Sequence, residues 1–346
     1  MINEKVVLAF SGGVDSAVAA ELLRRSGYAV HALNLLMWGN EDKRCSIQAL
    51  ADQLAIPVDF MDVRLVFRET IVQPFIDAYL DGKTPSPCLF CNPQIKWQSI
   101  LSFADQLGAE FVATGHYARL VKTTENSIEI WKARDEQKDQ SYMLTFLDQR
   151  SLSRTILPLG DYKKAQIRQI AEEFGLSVSD QPDSQDLCFL SGSNYRDFLA
   201  EHSDRPTQPG PIHNQAGELL GQHQGLAYYT EGQRKGLPSS TDALYVLEKS
   251  LEDNSLIVGF KSELGRDRFY VSQVNWISGQ TPTGALEVEV KIRYQAVPVK
   301  ALVELQPSGK ALVTASQTLR DITTGQIAAF YNGDQLLGGG IILSLA

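Results

Sequence analysis

The chain has 346 residues and a formal net charge of −9, with 43% hydrophobic and 21% charged residues, ordinary proportions for a globular protein of two or three domains. No apolar stretch reaches the roughly 20 residues that cross a bilayer, and a strand within a few residues of Met1 leaves no room for a signal peptide, so a cytoplasmic protein free of membranes is expected. The acidic balance leaves only local Lys and Arg clusters for any nucleic-acid partner.

The run Val6-Val7-Leu8-Ala9-Phe10 reads as a buried strand, and Ser16 to Ser26 as a helix with Ala17, Val18, Leu22 and Leu23 near one face. Val30 to Met37 is a second strand, Ser46 to Leu54 a helix stopped before Pro57, and Val58 to Val63 a third strand. Arg64 to Leu80 reads as a helix in which Pro74 demands a kink. Lys96 to Leu107 is helical, Phe111 to Thr114 is a short strand, and Lys163 to Phe174 is a helix ended by Gly175. This alternation predicts a doubly wound, parallel α/β sheet.

The pattern changes near Pro206. Short strand-like pieces and Gly/Pro turns continue to about Arg268, and alternation of period two then dominates, most clearly over Leu286 to Tyr294. Tyr331-Asn332-Gly333-Asp334 reads as a hairpin turn. The expected organisation is a catalytic α/β domain over 1–203, a small central mixed domain over 204–268 and a C-terminal antiparallel β-barrel over 269–346.

Ser11-Gly12-Gly13-Val14-Asp15-Ser16 lies between the first strand and the first helix, where α/β sheets bind phosphates. Glycines let the backbone approach an anion, the helix start offers free N–H groups, and Ser11 and Ser16 add hydroxyls. Asp15 is expected to hold a magnesium ion or to cap the helix, and the plainer alternative is that Asp15 or Ser16 only caps it. No Gly-x-x-x-x-Gly-Lys-Ser/Thr string is present, so this is not the loop of γ-phosphate-transferring enzymes.

Of four cysteines, Cys88 and Cys91 form a C-x-x-C pair behind the stiffening Pro85 and Pro87. Cys91 is expected just before a helix, where the dipole lowers a thiol pKa. A structural zinc site is the alternative; His116 or His202 would have to help complete its four ligands. Cys188, flanked by Leu187, Phe189 and Leu190, and Cys45, which belongs to no pair, each admit the reading of a buried apolar cysteine.

The Ser11–Ser16 string resembles the PP-loop of the ATP pyrophosphatase superfamily. That loop together with Cys91-Asn92, Ala113-Thr114-Gly115-His116-Tyr117, Lys138-Asp139-Gln140-Ser141-Tyr142, Leu187-Cys188-Phe189, Glu231-Gly232-Gln233-Arg234-Lys235-Gly236-Leu237 and Phe330-Tyr331-Asn332-Gly333-Asp334 resembles the bacterial tRNA-specific 2-thiouridylases in order along nearly the whole chain. The resemblance implies a PP-loop ATPase-type sheet, the cofactors ATP and Mg, and a tRNA substrate thiolated at its wobble uridine through an adenylated intermediate. It implies ATP contacts at Ala9, Phe10, Ser11, Gly12, Gly13, Val14, Asp15, Ser16, Leu35 and Gly115. Cys91 would be the nucleophile and Cys188 the persulfide carrier, a pair that ends as a disulfide. Ser86, Pro87 and Cys88 would border the target base, and Lys138, Asp139, Gln140, Arg293 and Tyr294 would touch tRNA. A sulfur-donor protein or a sulfide source is required, and a monomer is favoured.

The sequence departs from the family at Cys88, where the best-known members carry Asp. Asp139, Asp183 and Asp186 are candidates for the missing carboxylate. The change also adds Cys88 to the catalytic set and gives three cysteines, Cys88, Cys91 and Cys188, able to ligate an iron–sulfur cluster (4Fe-4S) with one iron open, so persulfide relay and cluster both stand. Arg119, Lys122, Lys132, Arg134 and Lys138, then Arg234-Lys235, then Lys291 and Arg293, supply local positive charge. Tyr117, Tyr142, Tyr228 and Tyr294 are candidates to stack on unpaired bases or to fill the core. A PP-loop amide-forming ligase acting on a small carboxylate is the rival function; it would not need Cys91 or Cys188.

Overall fold

The computed structural model describes residues 4–39, 43–179, 186–190 and 192–343. Strand β1 (Lys5–Ala9) buries Val6, Val7 and Leu8 completely and lies between β2 (Ala29–Leu36) and β4 (Phe111–Ala113), both parallel to it. With β3 (Val58–Asp62) beyond β2 and β7 (Thr155–Ile156) beyond β4, the sheet order is β3-β2-β1-β4-β7. The order reverses between β1 and β4, which opens a crevice at the C-terminal ends of these strands. Helices α1 (Val14–Arg25) and α2 (Arg44–Gln53) cover one face. The other face receives a longer helical run and part of the barrel.

Two helices widen where proline intrudes. The run from α3 (Arg64–Phe67) to α4 (Gln73–Leu80) passes through a π-helical turn over Arg68–Val72, which ends two residues before Pro74. A second run, α5 (Pro87–Cys91) to α6 (Gln98–Leu107), contains a π-helical turn over Asn92–Trp97 that includes Pro93. A proline ring collides with the carbonyl four residues back, and a widened turn makes room for it without ending the helix. The kink expected at Pro74 is thus a local change of pitch.

The hairpin β5 (Ala118–Lys122) and β6 (Ile128–Lys132) leaves the first domain and pairs with β17 (Gln335–Ile342) at Leu336↔Ile130 and Gln335↔Trp131. After α7 (Gln149–Leu152), α8 (Lys164–Glu173) packs beside α1 and ends at Gly175, whose φ is +59. Helix α9 (Tyr195–His202) joins an aromatic cluster of Phe67, Phe75, Phe189 and Phe198.

The central unit is a four-stranded mixed sheet of β8 (Gly210–Asn214), β9 (Leu219–His223), β10 (Tyr245–Ser250) and β11 (Ser255–Gly259), in the order β10-β11-β8-β9. A closed antiparallel barrel follows: β12 (Arg266–Trp276), β15 (Ala311–Leu319), β14 (Val299–Leu305), β13 (Leu286–Lys291), β16 (Ile327–Asn332) and β17, with β17 pairing back to β12. Doubly wound sheet, central mixed domain and barrel are the architecture that the residue pattern predicts. Among the described residues no helix is long and apolar enough to cross a membrane.

Candidate active site

The loop after β1 is built tightly. Phe10 is buried and bonds through its N–H to the Leu33 carbonyl, while Asn34 Nδ2 donates to the Phe10 carbonyl at 2.7 Å. Gly12 has φ +80, and a Cβ there would lie 2.9 Å from Ile47 Cγ1, so only glycine fits. Ser16 Oγ donates to the Gly13 carbonyl at 2.9 Å and sits 3.2 Å from Ser11 Oγ. Gly13 is the N-cap of α1 and no side chain caps it, so Asp15 and Ser16 are not the capping residues that the plainer reading allowed. The first N–H groups of α1 keep their affinity for an anion.

Asp15 is held by two other elements. Lys164 Nζ, at the first residue of α8, donates to its two oxygens at 2.7 and 2.9 Å, and Tyr117 OH donates to Oδ1 at 2.7 Å. Gly115 lies so close to the start of α1 that a Cβ would meet the Asp15 carbonyl carbon and Ser16 N at 3.3 Å. Ala9 to Ser16, Leu35 and Gly115 thus lie at or just beyond the C-terminal ends of the adjacent strands β1, β2 and β4. Exposed Ser11, the uncapped helix start and the Lys164 ammonium are a donor set that fits a nucleotide's pyrophosphate.

The thiols lie on the same edge. Cys91 is the last residue of α5, inside a continuous helical run and not before one, so no free helix start lowers its pKa. Burial pushes its thiol up to about 12; the Lys96 ammonium pulls the other way, and Cys188 and Cys88 add repulsion. Burial also pushes up the thiols of Cys88 and Cys188, again opposed by Lys96. Cys188 is nevertheless an exposed residue, because Phe189 and Leu190 take the buried positions beside it. Cys45 is exposed too, so neither of them is the buried apolar cysteine that its neighbours allowed. All four cysteines are free thiols; the expected Cys91–Cys188 disulfide is not formed.

Lys96 also acts on His116, whose imidazole burial drives down to about 3 and so keeps neutral. His116 Nδ1 lies 2.7 Å from Thr114 Oγ1, and its ring lies 5.4 Å from that of Trp97. Since His116 follows Gly115, one residue links the thiol side to the nucleotide loop. Among the described residues no three His, Cys, Asp or Glu side chains are placed to hold a metal ion. Cys88, Cys91 and Cys188 lie near enough to feel one another's charge, and burial favours their thiol forms.

The proline-rich loop before α5 is stitched to the barrel. Ser86 Oγ donates to Gln326 Oε1 at 3.1 Å, Gln326 Nε2 donates to the Thr84 carbonyl at 2.8 Å, and Thr84 N donates to the Thr324 carbonyl at 2.8 Å. A Cβ on Gly325, whose φ is +91, would stand 3.1 Å from Lys83 Cβ and 3.2 Å from Thr84 N.

Comparison with known proteins joins these parts. Residues 4–192 match the family model for the tRNA methyl transferase HUP domain, 196–260 that for the tRNA methyl transferase PRC-barrel domain, and 266–342 that for the aminomethyltransferase β-barrel domain. A tRNA-specific 2-thiouridylase MnmA from Natranaerobius thermophilus is 38% identical over 361 residues, covering 99% of this chain and 98% of the relative. The chain belongs to the tRNA-specific 2-thiouridylase family. The proteins of the same name from Synechococcus sp., at 40% identity over 98% of this chain and 94% of the relative, and from Clostridioides difficile, at 37% over 99% and 98%, agree.

As a 2-thiouridylase the chain places its family positions unevenly. Asp139 is buried and accepts from Ala133 N, Ser141 N and Ser141 Oγ, so both carboxylate oxygens hold its own turn. Asp186 is exposed, and Asp183 lies outside the described residues. Gln140 Oε1 accepts from Tyr117 N. Arg293 donates to the Glu231 carbonyl and to Thr323 Oγ1, tying barrel to central unit. Tyr117 and Tyr142 are core residues, whereas Tyr228 and Tyr294 are half-buried. Lys291 lies 5.7 Å from the Tyr294 ring centre, and Lys132 5.0 Å from that of Tyr331. Residue pattern alone gave Lys164 no role and left Lys96 as a sequence neighbour of Cys91; no spacing rule marks either.

Proposed function

We propose that this 2-thiouridylase is a cytoplasmic tRNA-uridine 2-sulfurtransferase that uses ATP to exchange the C2 oxygen of a wobble uridine for sulfur. The carrying observation is that Lys96 acts at once on Cys88, Cys91, Cys188 and His116, while Gly115, next to His116, packs against the start of α1. These contacts support a reading in which sulfur chemistry and nucleotide binding share one sheet edge. A uracil C2 carbonyl resists attack and its oxygen leaves poorly. Transfer of AMP to that oxygen, with release of pyrophosphate, makes the oxygen part of a good leaving group. The wobble base is unpaired, so drawing it into a pocket costs little.

Magnesium, when bound with ATP, supplies charge neutralisation at the phosphates. The chain's own groups do the rest. The Ser11–Ser16 loop and the α1 N-terminus grip the β,γ-phosphates. Cys188, exposed at the rim, receives sulfur from a donor as a persulfide. The Cys91 thiolate attacks Cys188 Sγ, a Cys91–Cys188 disulfide forms transiently, and hydrosulfide leaves. Hydrosulfide attacks C2, AMP departs with the former oxygen, and an external thiol reduces the disulfide. Lys96 is the cation beside the thiolates that this sequence requires.

The test is incubation of the protein with ATP, a persulfide donor and unmodified tRNA, followed by nucleoside mass analysis. 2-Thiouridine is expected at the wobble position; folded, ATP-binding protein that makes none would overturn the proposal. Cys91→Ala and Cys188→Ala should each abolish product while leaving ATP binding intact.

A further inference from the structure

The nucleotide loop has a charge problem. Its residues, Phe10 to Ser16, include no Lys or Arg but do include Asp15. Phosphate loops of the Gly-Lys-Ser/Thr kind carry a lysine within the loop to meet the β- and γ-phosphates. Here a carboxylate stands at the helix start, where it repels the anion that the exposed N–H groups attract. The missing cation must come from elsewhere in the chain.

Lys164 meets that need. It lies 149 residues beyond Asp15, yet its ammonium contacts both carboxylate oxygens. Its side chain is 10% exposed against 35% for Asp15. The position is pinned: Lys164 N donates to Asp135 Oδ2 at 2.8 Å, and Nζ lies 5.8 Å from the ring centre of Tyr117, whose hydroxyl donates to the same Asp15. Withdrawing an ammonium this far from water is costly unless its partners are excellent. A neutral pair at these positions would suffice to pack α8 on α1. A charged pair beside the phosphate cradle has a further use.

We propose that Lys164 is the pyrophosphate-positioning residue, the cation that cancels Asp15 and turns toward the β,γ-phosphates when nucleotide binds. Free of Lys164, Asp15 keeps the Tyr117 hydroxyl and becomes available to the nucleotide's magnesium ion. The inference rests on the nucleotide reading above and names the group that serves it.

Calorimetry with Mg·ATP, inorganic pyrophosphate and AMP tests it on four proteins: wild type, Lys164→Met, Asp15→Asn and Lys164→Met/Asp15→Asn. Lys164→Met should weaken ATP and pyrophosphate at least tenfold and leave AMP, which lacks the β,γ-phosphates, within about twofold. The double variant removes the stranded carboxylate and should recover the wild-type melting temperature, yet it should bind ATP and pyrophosphate at least tenfold more weakly than Asp15→Asn, which lacks the same carboxylate but keeps the ammonium. Equal affinities in Asp15→Asn and the double variant would reduce Lys164 to a counter-ion of Asp15 and overturn the proposal. A parallel loss of AMP binding in Lys164→Met would overturn it as well, by exposing a damaged fold. Wild-type protein that binds neither ATP nor pyrophosphate would instead overturn the nucleotide reading, and this inference with it.

Discussion

The nucleotide loop and the thiol loop occupy one edge of one sheet and are built in opposite ways. The first is contiguous: strand, two glycines and helix start follow within a dozen residues, and no side chain caps that helix start. The second is assembled from the α5 segment, the Cys188 segment and a barrel glutamine that ties the proline loop in place. The first holds its anion-binding groups ready. The second holds its thiols protonated through burial. In the proposed mechanism the difference protects the sulfur side, because a reactive thiolate waiting without substrate would be lost to side reactions.

The sharpest way to break the comparison is to cripple each side alone. Gly12→Ala forces a side chain into left-handed backbone and into Ile47; such strain costs about 1–3 kcal/mol before the clash is counted. Mg·ATP affinity should fall at least tenfold, and tRNA-dependent pyrophosphate release should be nearly abolished, while persulfide loading of Cys188, read by mass spectrometry, persists. Cys91→Ala should do the reverse: pyrophosphate release continues and 2-thiouridine disappears. Gly12→Ala protein that also fails to load sulfur would mean that the two sides are not separable.

A smaller effect is expected where the barrel meets the proline loop. Gly325→Ala should press on Lys83 and Thr84, lowering thiolation about tenfold and leaving Mg·ATP binding unchanged; equal turnover would show that the barrel need not steady that loop. The pH dependence of Cys91 sharpens the picture further. With its thiol pushed up to about 12, site-resolved iodoacetamide capture of Cys91 should still be accelerating at pH 10, and a plateau near pH 8 would contradict the burial argument. The pushed-up thiol contributes stability that is complete below the ordinary thiol pKa and is lost as pH climbs toward 12.

His116 provides the mildest test, with the opposite sign. Its folded pKa is pushed down to about 3, so its contribution is present above the ordinary histidine value and is lost as pH falls toward 3. The loss should approach roughly 1.4 kcal/mol per pH unit in that window. Replacing His116 by Gln should flatten urea-melt stability between pH 6.5 and 4; an unchanged slope would assign the acid sensitivity to other groups.

Legibility in the sequence follows the same division. The β1–loop–α1 unit and the period-two strands of the barrel were readable because their signals are local, one a glycine string and the other an alternation. The π-helical turns at Pro74 and Pro93 were not, because a proline signals a disturbed helix and leaves open whether the helix breaks or widens. Asp139 and Arg293 stand at motif positions, but their actual partners, the Ala133–Ser141 turn and Thr323, are set by the fold. Lys164 was invisible for the same reason: a charge that crosses 149 residues to its partner leaves no trace in spacing. The exposure of Cys188 was misleading in detail, since the apolar residues that flank it bury themselves and turn the thiol outward.

The hairpin β5–β6 belongs by sequence to the first domain and by hydrogen bonding to the barrel. Asn275 adds bonds to the Thr145 and Leu147 carbonyls, and Gln149 bonds both Ile128 and Ile277. The barrel is therefore splinted to the nucleotide sheet and cannot swing on a tether.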